Sequence, residues 1–401
     1  MNKNICIITV ILAALCMSIF VQAETEIIRI TANGYEDILP AVHGNTIVWQ
    51  GRYNGEREIF LYDIAAAQTL QITDNDYPDI APQTDGRYVV WLGMNNTGGN
   101  IFYYDTNSNS VLINQVPEVP ETDNVIIKSP PRIADGRIVW AAQDVWRSVW
   151  PGVIELHDIE TGTSTNISAP ADPDDNLDDH MPVIDSTKVV WVQTGSDNIE
   201  STVFVHDLTS GDTFPAPDNF ATVQSPTQDG NLSITTKSDG HDKEIFLSHQ
   251  RLRRNIQITD NDVEENHPKI HGNHLVWVSG RGAEQEIYLG ITRLLSAITP
   301  GDGFGFTKKS YFVFEWEAIG YDRFRVQVSS TKDFTMDETF TFPPLSDSWF
   351  DETSFTVDKK LAKWLNSMGK EHNTLYWRIV AQDQYGNETT SQVQRIVIAE
   401  K

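Results

Sequence analysis

One sequence pattern returns six times between residues 38 and 291, and this repeat constrains the fold more than any other feature of the chain. Each copy has a short strand led by proline, a tight turn and a β-branched run that ends in tryptophan in five copies. The runs end at Trp49, Trp91, Trp140, Trp191, Thr235 and Trp277, so the spacings are 42, 49, 51, 44 and 42 residues. This length holds about four short strands. Such units bury their faces by radial stacking, and the sequence therefore predicts a six-bladed β-propeller.

The last blade lacks one strand in its own copy. Most copies show a fourth strand after the third, clearest as Gln-Ile-Thr at residues 71–73 and 257–259, but none follows Ile291. Residues 27–33 match this strand type. We therefore expect the N-terminal segment to complete blade six and to remove an exposed sheet edge. An extra outer strand on blade one is the alternative.

The repeat stops before Ile298, and a segment of different pattern follows. Alternating apolar residues such as Phe312, Phe314 and Trp316 predict a small β-sandwich. One helix is expected near residues 359–368, because Asp358 is a good N-cap and a glycine follows the apolar residues at helical spacing. The helix is expected to pack on the sandwich, with a partner groove as the alternative.

The predicted fold class is all-β. Residues 1–23 resemble a signal peptide, with Lys3, an apolar run and a small-x-small ending at Ala23. Residues 24–297 would form the six-bladed β-propeller and residues 298–401 the β-sandwich with one short helix. Both cysteines lie in the leader, so the exported chain would lack disulfides and thiolate metal sites.

The repeats carry a family resemblance. The Asp-Gly-x-x-Val-Val-Trp run, the Ile-Phe-Leu-Tyr-Asp strand at residues 59–63 and the Gln-Ile-Thr ending resemble TolB-like propeller repeats over about residues 26–293. Residues 375–387 are similar to the sixth strand and following turn of fibronectin type III domains, although Leu375 stands where that family has its corner tyrosine. No segment fits the α/β domain that precedes the propeller in TolB, so TolB's partnership with an outer-membrane lipoprotein is not implied.

The charge of the chain limits its partners. There are 30 basic and 56 acidic residues, a formal net charge of −26, and such a chain repels nucleic acid and anionic lipid. No apolar stretch outside the leader is long enough to span a membrane. We expect a monomer that is exported to the periplasm, the cell surface or the medium. Its expected partner is an envelope or extracellular protein or glycan.

Acidic turns follow two of the fourth strands. Asp74 and Asp76 flank one asparagine, and Asp260 and Asp262 flank another. We expect no cofactor, with calcium at these residues as the one alternative, since Asp-x-Asp spacing offers two oxygens from one turn. Asp and Asn also shape turns without any metal, and this second interpretation stays open.

A loop in the third copy is the strongest contact candidate. Trp146, Arg147 and Trp150 lie outside the register of the repeat, and exposed aromatic residues beside an arginine suit recognition of a partner. Local packing is the alternative.

No phosphate-binding glycine loop, zinc-binding helix or nucleophile turn is found in the sequence. We therefore predict a non-enzymatic binding protein. A polysaccharide-processing lyase or hydrolase is the alternative, and a Tyr, a His and an Arg that converge at the channel mouth would favour it.

Overall fold

Strands dominate both parts of the molecule. The computed structural model describes residues 23–95, 98–108, 113–116, 125–127, 129–144, 152–168, 178–194, 201–216, 227–238, 240–343, 348–369, 373–383 and 386–399. The chain divides into two compact units, Thr25–Thr292 and Arg293–Lys401. The predicted all-β class is confirmed, since one α-helix accompanies the strands of the described residues. None of the helices in the described ranges has the length and apolar character of a membrane span.

The first unit consists of six antiparallel sheets, and in blades one to five the strands pair in chain order. Blades one and two contain Asp37–His43, Thr46–Tyr53, Glu56–Asp63 and Gln68–Gln71, then Asp79–Thr84, Tyr88–Asn95, Gly98–Asp105 and Ile113–Gln115. Blade three contains a divided first strand, Val125–Ile127 and Arg132–Ala134, followed by Arg137–Asp144, Gly152–Asp158 and Thr163–Asn166. Blades four and five contain Asp178–Ile184, Lys188–Thr194, Ser201–Asp207 and Thr213–Pro215, then Gln228–Asp229, Leu232–Ser238, Lys243–His249 and Arg254–Gln257.

The N-terminal segment completes blade six. This blade contains Glu265–His271, His274–Ser279 and the first part of Glu286–Thr299, and strand Ala23–Arg29 pairs with the last of these. A short 3₁₀ turn, Gly282–Glu284, precedes the long strand. The N–H of Ile30 donates to the carbonyl of Ile287 at 2.8 Å, and the Thr31 hydroxyl accepts the N–H of Ile287 at 2.9 Å. The predicted completion of blade six is confirmed, although the strand is Ala23–Arg29 rather than residues 27–33.

The tryptophans of the repeat fill the core between blades. Their exposed fractions are 1, 1, 4, 2 and 1% at Trp49, Trp91, Trp140, Trp191 and Trp277. In blades one, two, four and six the indole stacks on the ring opposite it on the third strand, with centroids 5.7 to 6.0 Å apart. Apolar clusters join blade one to two, two to three, three to four and six to one, so the last blade packs on the first.

A bulge shapes the first strand of four blades. The residue before the leading proline has a φ of 52 to 54° at Leu39, Ala81, Met181 and His267. The pairing with the second strand shifts at the same point. Positive φ is unfavourable for residues with a Cβ, so its recurrence in one register indicates that the fold requires the bulge. The residue after the proline then resumes the regular pairing.

The second unit contains two sheets and the helix. One sheet has the order Phe304–Phe306, Gln394–Ile398, Thr374–Gln382, Arg323–Ser329 and Thr339–Phe342, with Glu388–Thr390 also on Thr374–Gln382. The other contains residues 294–299, Phe312–Ile319 and Ser354–Val357. A 3₁₀ turn, Met336–Glu338, lies before Thr339.

The apolar faces predicted for this unit form its core. Phe314, Trp316 and Trp377 are fully buried there. The helix Lys359–Met368 begins as predicted, because the Asp358 carboxylate accepts the N–H of Leu361 at 2.8 Å, and it packs on the same core. The relation to fibronectin type III domains and the boundary at residue 298 stay predictions.

Candidate functional site

A cavity of about 430 Å³ lies where the first strands of all six blades meet. Because every blade contributes, this cavity is the central channel of the propeller. Its volume falls within the range of about 300 to 1,000 Å³ that is typical of small-ligand sites. Its lining mixes apolar residues such as Val183 and Ile184 with the polar Gln83, Thr84 and Gln228.

The residue after each leading proline occupies the same register position around the channel. Ala41, Gln83, Arg132, Val183 and Lys269 each lie opposite the valine next to the core tryptophan position. In blade five the carbonyl of Thr227 accepts the N–H of Ile234, which places Thr227 in the same position. We call these six residues the channel ring.

Two cations of the channel ring come from opposite sides of the propeller, since blades three and six are three blades apart. Arg132 and Lys269 both line the cavity and are half-buried. Neither makes an ion pair or a side-chain hydrogen bond with another described residue. Burial lowers the pKa of both groups, and the charge of Arg132 lowers that of Lys269 further. An anionic group between them would relieve this repulsion and form charge-assisted hydrogen bonds.

Three of the four aspartates that line the cavity have other partners, and the fourth, Asp135, makes no ion pair with a described residue. Asp85 accepts the backbone N–H groups of Tyr88 and Gly136, the latter in the next blade. Asp185 pairs with Lys188 at 2.7 Å, and Asp229 accepts the N–H of Gly272. Asp85, Asp185 and Asp229 therefore hold turns or link neighbouring blades, and none of them pairs with either channel cation.

Two histidines that line the cavity lie against each other with their rings tilted. The ring centroids of His43 and His271 are 3.8 Å apart. His271 Nδ1 accepts the N–H of Gly44, and His274 Nδ1 donates to the Gly44 carbonyl. Burial lowers the pKa of His271 and His274, which favours their neutral forms. The described cavity lining thus offers His and Arg but no Tyr.

Four of the seven predicted site residues lie in the described part of the chain. Trp146, Arg147 and Trp150 lie outside the described residues. Asp74, Asp76, Asp260 and Asp262 are exposed, and they belong to turns at two different blade junctions. The asparagine between each pair organises its turn: Asn75 donates to Asp79 and accepts from the N–H of Tyr77. Calcium at these four aspartates stays a prediction.

Sequence inspection missed both cations of the channel ring. The sequence does mark the channel ring, because each of its residues directly follows the leading proline of a copy. These prolines are Pro40, Pro82, Pro131, Pro182, Pro226 and Pro268. Aligning the copies on these prolines brings Arg132 and Lys269 to one position, and six-fold geometry then makes copies three and six opposite.

No protein-family model matches the chain, and no curated protein matches it. Solved structures that are similar to it include an oligogalacturonate lyase from Vibrio parahaemolyticus, at 12% identity and a TM-score of 0.42, which covers 68% of this chain and 96% of that one. A puromycin hydrolase has 6% identity and a TM-score of 0.42 over 65 and 51% of the two chains. TolB from Acinetobacter baumannii has 10% identity and a TM-score of 0.32 over 58 and 59%. At these identities the similarity concerns the fold alone.

Proposed function

We propose that the protein is a non-enzymatic binding protein whose propeller channel holds a carboxylated sugar of an acidic glycan. The supporting observation is the pair of half-buried cations, Arg132 and Lys269, on opposite blades without a carboxylate partner among the described residues. A carboxylate between them would accept charge-assisted hydrogen bonds from both.

The rest of the lining favours a sugar over a protein surface. A cavity of about 430 Å³ accommodates a small ligand, whereas a protein partner requires a broad exposed patch of roughly 800 Å². Gln83, Thr84 and Gln228 supply donors and acceptors for hydroxyl groups. The predicted signal peptide would bring the protein to the compartment where envelope and extracellular glycans occur. The loop with Trp146 would serve as a second contact.

Calorimetric titration tests this proposal. Glucuronate and galacturonate should bind, and glucose and galactose, which lack the carboxylate, should not. Arg132→Gln and Lys269→Gln should each lower the affinity about tenfold to a hundredfold, since a hydrogen bond to a charged group contributes about 1.5 to 3 kcal/mol. Arg52→Gln is the matched control, because Arg52 is exposed and lies outside the cavity lining. Equal binding of acidic and neutral sugars would refute the channel assignment.

The enzymatic alternative has its own assay. Incubation with acidic oligosaccharides should leave them intact, as judged by reducing ends and by the absorbance of unsaturated products. Product formation that Arg132→Gln abolishes would replace the binding proposal by a lyase or hydrolase.

A further inference from the structure

Three buried carboxylates meet at the junction of blades five and six. Asp242 and Glu244 flank Lys243 at the start of one strand, and Glu265 begins the first strand of the next blade. Their exposed fractions are 9, 0 and 1%. One oxygen from each side chain lies within 4.8 Å of the other two. None of the three residues lines the channel cavity, so this cluster is separate from the proposed sugar site.

Glu244 and Glu265 each have a buried oxygen to which no described residue donates a hydrogen bond. Glu244 Oε1 accepts the N–H of Asn261 at 2.8 Å, and Glu265 Oε1 accepts from Asn261 and Ser279 at 3.1 Å. Glu244 Oε2 and Glu265 Oε2 have no hydrogen-bond donor in the described part of the chain. The neighbouring cation Lys243 pairs with Glu264 instead. Buried carboxylate oxygens without a donor are costly, and a cation is the ligand that would satisfy them.

The equivalent position in other blades shows that Glu265 departs from the repeat. Asp37, Asp79 and Asp179 stand twelve residues before the core tryptophan of their blades and accept its indole N–H at 2.8 to 3.0 Å. In blade six the longer Glu265 replaces aspartate, and the indole N–H of Trp277 finds no acceptor among the described residues. The Glu265 carboxylate thus contributes to the acidic cluster instead of accepting the indole N–H of Trp277. That buried N–H is left without an acceptor among the described residues, which is unfavourable.

We propose that Asp242, Glu244 and Glu265 bind one Ca²⁺ ion that links blade five to blade six. The three ligands are carboxylates, which hard cations prefer. Calcium binds oxygen at about 2.3 to 2.6 Å, so oxygens on opposite sides of the ion are up to about 5 Å apart, which agrees with the spacing of the cluster.

Metal content and melting temperature of the full chain test this site. After chelator treatment, Ca²⁺ should bind with a stoichiometry near one and raise the melting temperature. Glu265→Asp should fold, because it restores the aspartate of blades one, two and four, yet it should weaken Ca²⁺ binding at least thirtyfold. Glu244→Gln should weaken binding similarly.

Two controls separate this site from its alternatives. Glu58→Gln alters the buried glutamate at the same position of blade one and should leave Ca²⁺ affinity unchanged. The double change Asp260→Asn with Asp262→Asn tests the exposed turn. The proposal is overturned if the chelated protein binds no Ca²⁺ at millimolar concentration, if Mn²⁺ or Mg²⁺ binds more tightly, if Glu265→Asp retains full affinity, or if the exposed-turn change abolishes binding.

Discussion

Replacement of Glu155 by glutamine should make the stability of the propeller less dependent on pH. Glu155 lies directly opposite Trp140, at the position where other blades carry Phe60, Phe102 or Phe204. It is 3% exposed, and its Oε1 has no hydrogen-bond partner among the described residues. Burial raises its pKa from 4.5 to about 7. The charged form is therefore unfavourable in the folded state.

The sign and size of the effect follow from linkage. Because the folded pKa lies above the unfolded value, the protonated carboxyl contributes stability that is fully present below pH 4.5 and is lost as the pH rises through 7. The difference between 4.5 and about 7 corresponds to about 3 kcal/mol at 1.36 kcal/mol per pKa unit. Glutamine cannot ionise. Between pH 5 and pH 8, the free energy of unfolding of the wild type should therefore fall by about 2 to 3 kcal/mol relative to that of Glu155→Gln.

Urea denaturation of both proteins at several pH values, in chelator, measures this gain. Comparison of the two proteins cancels the contributions of other buried acids such as Asp37. Glu160→Gln, an exposed change in the same blade, should follow the wild type at every pH. A constant difference between Glu155→Gln and the wild type from pH 5 to pH 8 would refute the assignment of a buried, perturbed carboxyl.

Two further predictions concern the N-terminal strand and the loop that contains Trp146. Deletion of residues 24–33 should lower the melting temperature or cause aggregation. The deletion exposes the edge of strand Glu286–Thr299 and removes the acceptor of the Ile287 N–H. Unchanged melting would contradict the role of the N-terminal strand. Alanine at Trp146, Arg147 and Trp150 should leave melting nearly unchanged and weaken binding of an acidic oligosaccharide by about 2 kcal/mol or more, and a loss of stability would instead assign these residues to packing.

The repeat allowed much of the fold to be predicted because each copy carries a local signal of its own. Proline, turn residues and a β-branched run ending in tryptophan mark the strands of a blade without knowledge of the others. The N-terminal strand was predicted on the same basis, since residues 27–33 supply the one element that blade six lacks. The helix after Asp358 was predictable because capping acts within one turn.

The candidate sites depend on residues that the sequence separates. Arg132 and Lys269 are ordinary surface types in a linear chain, and only ring closure brings them to opposite sides of one cavity. The sequence directed attention to the exposed Asp260 and Asp262, whereas the carboxylates that meet are Asp242, Glu244 and Glu265 on two blades. Local periodicity determined the strands because hydrogen bonding and burial repeat with the backbone. Charge, proton affinity and metal geometry required the tertiary structure, because electrostatic interactions depend on distance and burial rather than on position along the chain.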